Sequence, residues 1–372
     1  MKISYVHGIC VKNDAISNSI RDEINWLVSH ERNDVRLYAY KCDHTDLPSI
    51  KVSDLKSVAF DQHFQSSDLV VFHFGVFYPL FDLLAITPKR AKRLVIFHNI
   101  TPKEFVPIEN HPLIDESFKQ LANISFADHV ACDSQTNLDV LRAIGIQTPA
   151  TVLPLAVHSN FNIPKSKPSF VDGVVRLAFV GRFVRSKGPG HLLEAFERAL
   201  RYDQMLHMSL DMIGNLSFSD LTLLGEIKNS VEAINRSYGG RANITIHGDA
   251  TEETKQEILA NADLFVLPTY HEGFCVPILE ALGSGCRVIA YDNSNTPAIS
   301  GGFARLTPTG DVDELSFALA EVVRELTSSA WQSKGAQSYA EYSGKVEKYV
   351  LQYSPEHTKH AFVKFIDDFA TR

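Results

Sequence analysis

The chain has 372 residues, 45% of them hydrophobic and 22% charged, and a formal net charge of −8. That length exceeds what one hydrophobic core usually serves and predicts two domains, while the ordinary composition excludes a disordered or low-complexity chain. The acidic balance excludes a general nucleic-acid binder, which needs clustered Lys and Arg, and no apolar run reaches the roughly 18 residues of a membrane span.

The chain begins as strand, glycine break and helix. Lys2 to Val6 is a short apolar strand without the charged region or cleavage site of a signal peptide. His7-Gly8 interrupts it, and from Asp14 onward Ile16, Ile20, Ile24, Leu27 and Val28 share one helical face. Apolar runs follow at 35–40, 69–74, 94–98, 129–132 and 151–153, with helical stretches at 112–126 and 136–144. Near-continuous apolar strands alternating with helices predict a parallel sheet covered on both faces. The run 88–93 (PKRAKR) reads as a solvated loop, with peripheral contact to anionic lipid at the cytoplasmic membrane face as the alternative.

Residues 161–172 (FNIPKSKPSFVD) hold two prolines and little to bury, and read as an interdomain linker. The alternation then restarts, with strands at 174–180, 209–213, 243–246, 264–267 and 287–290 and helices at 191–201, 251–260 and 278–283. A last helix at 356–369 carries Phe362, Phe365, Ile366 and Phe369 on one stripe and must pack against something. The expected division is 1–168, 169–352 and a C-terminal helix within 353–372 that returns to the first domain. Two doubly wound halves place the chemistry at strand carboxyl ends, in a cleft. The five cysteines are widely spaced, form no CxxC or zinc pattern, and fit a reducing cytoplasm.

Two segments carry chemistry. In 264–290 (LFVLPTYHEGFCVPILEALGSGCRVIA) a buried strand ends at Pro268, and Pro277 suits the first turn of a helix. Glu272 falls in the loop and Glu280 in or just past that first turn. The amides of Phe274, Cys275 and Val276 can meet an anion at the positive end of the helix. An ionised Glu280 suits a bidentate grip on a vicinal diol such as ribose, the alternative being a surface capping carboxylate and a solvated loop acid. In 179–195 (FVGRFVRSKGPGHLLEA), Arg182 and Lys187 stand in a Gly- and Pro-rich loop before a helix start. A guanidinium fork, an ammonium and helix amides suit a diphosphate, the alternative being a solvated basic loop. There is no GxxxxGK[ST] loop and no GxGxxG after the first strand, which argues against a P-loop nucleotidase and a dinucleotide oxidoreductase.

Together the two segments resemble the retaining glycosyltransferases of family 4. Gly181-Arg182…Lys187 corresponds to that family's GR…K loop, and Glu272…Glu280 to its two glutamates with seven residues between. Gly248, Ala262-Asp263, and Glu280-Ala281 followed by 283–288 match the surroundings. The resemblance implies the GT-B fold, two Rossmann-like doubly wound domains facing across a cleft. It implies that Arg182 and Lys187 hold the donor diphosphate, Glu272 contacts the donor sugar, and Glu280 binds the ribose, with Gly248, Phe274, Cys275 and Val276 in the donor site. His98, in the segment HNITP, stands where members often have a histidine facing the donor sugar, the alternative being a strand-ending histidine satisfied by backbone. Gly8, Asn13 and Asp14 correspond to an acceptor loop, Asn13 replacing a common glycine. Cys275 replaces the glycine of an EGFG-type loop, and is expected either as a donor-site thiol of lowered pKa beside a helix start or as a buried small hydrophobe.

The implied activity is retaining transfer of a sugar from a nucleotide donor to a saccharide or lipid-linked saccharide acceptor in the cytoplasm. HNITP points to mannose from GDP-mannose and to bacterial surface polysaccharide such as O-antigen. No metal or other cofactor is expected, because no DxD motif stands in a suitable place and the pair His357 and His360 lacks a third ligand. The alternatives are a sugar-nucleotide epimerase or phosphorylase of similar fold, and a non-catalytic nucleotide-sugar-binding subunit. The sugar-facing Glu272 disfavours the last of these.

Overall fold

The computed structural model describes every residue except Asn13, Glu31, Asn160, Ser217, Phe218, Thr371 and Arg372. The chain divides into two compact units, Met1–Ala156 with Tyr353–Arg372, and Val157–Gln352. The division thus falls before the expected boundary at 168/169, because 157–168 is bound into the second unit. Lys167 is buried there, and its ammonium donates to the carbonyls of Ala260 at 2.9 Å and Ser284 at 2.7 Å. The hydroxyl of Tyr339 donates to the carbonyl of Pro164 at 2.8 Å. Residues 161–172 are therefore no free linker. Their end forms the short helix Ser169–Asp172, closed by Gly173.

In the first unit the strands are β1 (Lys2–Val6), β2 (Ile9–Cys10), β3 (Asp34–Ala39), β4 (Lys41–Cys42), β5 (Ser49–Lys51), β6 (Leu69–Phe74), β7 (Lys92–Phe97), β8 (His129–Cys132) and β9 (Ala150–Val152). Seven form a parallel sheet in the order β5-β3-β1-β6-β7-β8-β9, and β2 and β4 form a small parallel pair. Alternate residues feed two cores, one holding Ile3, Tyr5, Leu37, Val71 and Leu94 and the other Val6, Tyr38, Phe72 and Val95. Burial on both faces is why these strands read as near-continuous apolar runs. The helix Ala15–Val28 starts at Asp14 and buries Ile20, Ile24 and Leu27. The stretch expected as one helix at 112–126 is an α-helix at His111–Gln120 followed by a 3₁₀ segment at Leu121–Phe126. The last helix, Pro355–Ala370, puts Phe362 and Ile366 into the first unit's core, with Phe362 5.8 Å from Trp26 between ring centres.

The second unit has β10 (Val175–Val180), β11 (Met208–Gly214), β12 (Ala242–Gly248), β13 (Leu264–Leu267), β14 (Arg287–Tyr291) and β15 (Ala304–Thr307). They form a parallel sheet in the order β12-β11-β10-β13-β14-β15. The helices Leu221–Ser237, Val312–Leu326 and Tyr339–Val350, with β15, are further elements that the apolar pattern did not pick out. In each unit the strand order reverses once, between β1 and β6 and between β10 and β13. Connections leave in opposite directions at such a point and open a crevice at the strand carboxyl ends.

Candidate active site

The reversal between β10 and β13 collects the basic loop and the acidic loop. Arg182 and Lys187 follow β10, and Glu272 follows β13. Gly188 ends the first loop at φ 66°, and a Cβ there would stand 2.1 Å from the carbonyl oxygen of Pro268, so the backbones meet where only glycine fits. The carbonyl of Ser186 accepts the amide of Tyr270 at 2.7 Å and the hydroxyl of Thr269 at 3.1 Å. Stitched in this way, the loops bring Lys187 and Glu272 together, with Nζ donating to Oε1 at 2.5 Å. Glu272 is buried and Lys187 half-buried. Arg182 is exposed, and no ion pair or hydrogen bond from its guanidinium is present among the described residues. It is a cation open to a ligand.

Glu280 lies just past the first turn of the helix Val276–Gly283 and is buried rather than at the surface. Its Oε1 accepts from Lys255 Nζ at 2.7 Å, and that ammonium also reaches Glu252 at 3.0 Å. Burial pushes the Glu280 carboxyl above its ordinary range, and Lys255 opposes the shift. For Lys255 burial acts downward, but the two carboxylates win and the ammonium is held above its usual value. Lys255 is a site residue that sequence reasoning missed. Its one signal is its place in the helix after Gly248, three residues beyond Glu252.

Cys275 immediately precedes that helix with φ 79° and ψ 62°, the left-handed conformation that glycine adopts without strain. The expected thiol of lowered pKa is corrected by burial. The side chain is 4% exposed, and desolvation, with Glu272 and Glu280 nearby, drives the thiol well above its ordinary value. The buried-hydrophobe alternative holds. Phe274 is buried beside it, its carbonyl accepting from Asn295 Nδ2 at 2.8 Å, and Val276 opens the helix. Gly248 closes β12 opposite Gly214.

In the first unit His98 follows β7 and is enclosed. Its Nδ1 lies 2.6 Å from Asp133 Oδ2, and its Nε2 lies 2.8 Å from His73 Nδ1. His73 Nε2 in turn lies 3.1 Å from Glu23 Oε2. Both ring nitrogens of His98 are thus engaged by side chains, Asp133 and His73, rather than by backbone. Burial alone would lower its pKa, but Asp133 outweighs burial and raises it. His73 is driven well below its usual value by burial and by His98. Glu23 is raised by burial to about 8. The same number of protons therefore has two arrangements along the chain. Either Glu23 is protonated and donates towards a neutral His73–His98 pair, or Glu23 is ionised and His98 is the cation, donating from both nitrogens.

The expected acceptor residues have structural partners. Asp14 caps its helix, accepting from the Ser17 amide at 2.9 Å and its hydroxyl at 2.7 Å. Gly8 is buried, with Tyr78 Cβ 3.1 Å from where a Cβ would stand. Asn13 lies outside the described residues.

The second unit's geometry finds its counterpart among known proteins. Residues 163–338 match the family described as Glycosyl transferases group 1. The chain is 27% identical over 220 residues to MMP alpha-(1->4)-mannosyltransferase of Mycolicibacterium hassiacum, covering 53% of this chain and 49% of that one. It is 31% identical over 85 residues to O-antigen chain mannosyltransferase B of Escherichia coli, covering 23% and 22%. The chain thus spans half or less of the length of these curated relatives. Among solved structures, sucrose-phosphate synthase from Thermosynechococcus elongatus superposes with a TM-score of 0.75 at 17% identity, covering 100% of this chain and 99% of that one. A glycosyltransferase from Rickettsia africae superposes with a TM-score of 0.72 at 13% identity, covering 99% and 98%. The fold is GT-B-like, two parallel-sheet α/β units.

Proposed function

We propose that this protein is a retaining glycosyltransferase that takes its donor, a nucleotide sugar, in the second unit. The observation that carries the reading is the Lys187–Glu272 contact at the β10/β13 reversal, with Arg182 open on the same loop. Lys187 and Arg182 take the diphosphate, and negative charge growing on the departing phosphate is stabilised by these cations more than the ground state is. Glu272, released from Lys187 as phosphate arrives, accepts a hydrogen bond from a hydroxyl of the donor sugar. Glu280, whose carboxylate Lys255 favours against the effect of burial, grips the ribose diol. The sugar leaves with retention, attack coming from the leaving-group side with the phosphate taking the acceptor's proton, and with no metal needed. The two mannosyltransferases among the relatives support mannose, from GDP-mannose, and a saccharide or lipid-linked saccharide acceptor in surface polysaccharide synthesis. No helix among the described residues is long and apolar enough to cross a membrane, and the proposed setting is the cytoplasm, with 88–93 touching the membrane face.

The test is a thermal-shift panel of nucleotide sugars, followed by transfer assays with a saccharide acceptor in excess EDTA. The expected result is stabilisation by GDP-mannose, transfer to the acceptor without added metal, and an α-linked product by NMR. Conversion of the donor without acceptor overturns the reading in favour of an epimerase. Binding without transfer to any acceptor favours a non-catalytic subunit.

A further inference from the structure

Two cysteines far apart in sequence face each other in the first unit. The parallel pair β2–β4 has two rungs, Ile9 opposite Lys41 and Cys10 opposite Cys42. Its register is held by the amide of Tyr40 donating to the carbonyl of Gly8 at 2.9 Å, and that of Asp43 donating to Cys10 at 2.8 Å. Residues directly opposite in such a ladder direct their side chains to one face, on strands about 4.8 Å apart. That spacing falls in the roughly 4.4–6.8 Å between Cα atoms that a disulfide spans. The Cys10 thiol points to the carbonyl of Ser17 at 3.8 Å and the Cys42 thiol to that of His44 at 3.5 Å. Both are reduced, Cys10 buried and Cys42 partly exposed.

We propose that Cys10 and Cys42 are a reversible dithiol–disulfide couple, oxidised by a low-molecular-weight disulfide such as glutathione disulfide. Cys42, the accessible partner, attacks one sulfur of the oxidant as its thiolate, forming a mixed disulfide and expelling one glutathione thiolate. Cys10 then gives up its proton and attacks Cys42 Sγ, forming the Cys10–Cys42 bond and expelling the second glutathione thiolate. Two protein thiols lose two electrons, one external disulfide gains them, and the two protons go to the expelled thiolates. The order follows from burial, which pushes the Cys10 thiol up to about 12 and leaves it a poor first nucleophile.

The bond would act on the start of the helix Ala15–Val28. Cys10 Sγ lies 3.8 Å from the carbonyl of Ser17, and the amide of Val11 donates to the Ser17 hydroxyl at 3.0 Å. Ser17 is in turn held by Asp14. A cross-link therefore ties β4 to the segment running from Gly8 into the helix, beside the β1/β6 reversal. The inference stands on this geometry and is independent of the donor chemistry proposed for the second unit.

The test incubates the full-length protein in glutathione buffers of increasing oxidised fraction, followed by denaturing alkylation and peptide mass mapping. The expected result is that wild type loses two alkylatable cysteines, yields a cross-linked peptide pair containing Cys10 and Cys42, and regains both thiols with dithiothreitol. Cys10→Ser should stop at a stable Cys42–glutathione adduct, and Cys42→Ser should leave Cys10 unmodified. Hydrogen exchange at residues 8–12 should slow on oxidation of the wild type. A wild-type protein in which Cys42 carries glutathione while Cys10 stays alkylatable overturns the proposal. So does a cross-link to another cysteine, or no loss of thiols in the most oxidising buffer.

Discussion

Glu280 is balanced between burial, which favours its neutral form, and the Lys255 ammonium, which favours the carboxylate. Lys255→Met removes the second influence, so the carboxyl pKa rises further. Because only the ionised form accepts both hydrogen bonds of a diol, donor binding in the variant should weaken at acidic pH and recover as pH rises. Charge-assisted bonds of this kind are worth roughly 1.5–3 kcal/mol, so about a tenfold to hundredfold loss of affinity is expected at the acidic end. Calorimetric titration with nucleotide sugar at about pH 6 and about pH 9 reads this against a flatter wild-type profile. An equal loss at both values would mean that Lys255 acts by packing alone. Cys275 allows a second test on the same loop. Its left-handed backbone costs a non-glycine residue roughly 1–2 kcal/mol, which its buried side chain offsets by packing. Cys275→Gly should therefore leave stability within about 1 kcal/mol, whereas the β-branched Cys275→Val should lose more than about 2 kcal/mol. Urea unfolding of the three proteins gives the order directly. In the native protein brief iodoacetamide should label Cys42 and spare Cys275, and early labelling of Cys275 would contradict the burial described for it.

Among elements, the strand ends at the β1/β6 reversal carry a buried titrating chain whose effect on stability has a definite sign. Glu23, on the helix Ala15–Val28, is held at about 8 in the fold, against about 4.5 for an ordinary glutamate. A carboxyl with a raised folded pKa contributes most below its unfolded pKa, and that stability drains away as pH climbs towards the folded value. Wild type should thus lose stability between about pH 4.5 and about pH 8, by a few kcal/mol in all. Glu23→Gln keeps a donor for His73 and cannot ionise, so its melting temperature should gain on wild type across that window. Parallel melting curves that never diverge would show that Glu23 does not carry the raised pKa. This chain was not legible in the sequence. Glu23, His73 and Asp133 belong to a helix, a strand and a loop that only the sheet order brings together, and a lone histidine in LVVFHF carries no sign of its partners. The strands themselves were legible: 2–6, 69–74, 129–132 and 264–267 fall where the apolar runs end, because burial on both faces leaves no polar alternation. The family resemblance put Lys187 and Glu272 in one donor site, but their direct contact was not legible, since nothing local links a basic loop to an acid 85 residues away. The Cys10–Cys42 rung was not legible at all, and Lys255 only by its place after Gly248, because strand-to-strand and helix-to-helix contact set their partners.

At the scale of the whole chain, the path runs from the first unit into the second and returns for one helix. The returning helix, Pro355–Ala370, is covalently continuous with the second unit, yet it buries Phe362 and Ile366 in the first unit's core beside Trp26 and Ile24. Phe365 and Phe369 pack on His129 at 5.2 Å and 5.6 Å between ring centres. Every residue proposed to hold the donor falls within Val157–Gln352. Stability of the first unit and donor binding by the second should therefore respond separately to this helix. Phe362→Ala removes a buried aromatic side chain, for which a loss of about 3–5 kcal/mol is expected. For a unit of this size that is about a 10 °C fall in its melting transition. Each unit has its own core, so calorimetric scans should resolve a first-unit transition that falls in the variant and a second-unit transition that does not. Saturating nucleotide sugar should raise the second transition alone, by the same amount in wild type and variant, since ligand stabilises only the unit that binds it. If Phe362→Ala abolished the donor-induced shift, the helix would be serving the donor site, and its assignment as the first unit's closing element would fail.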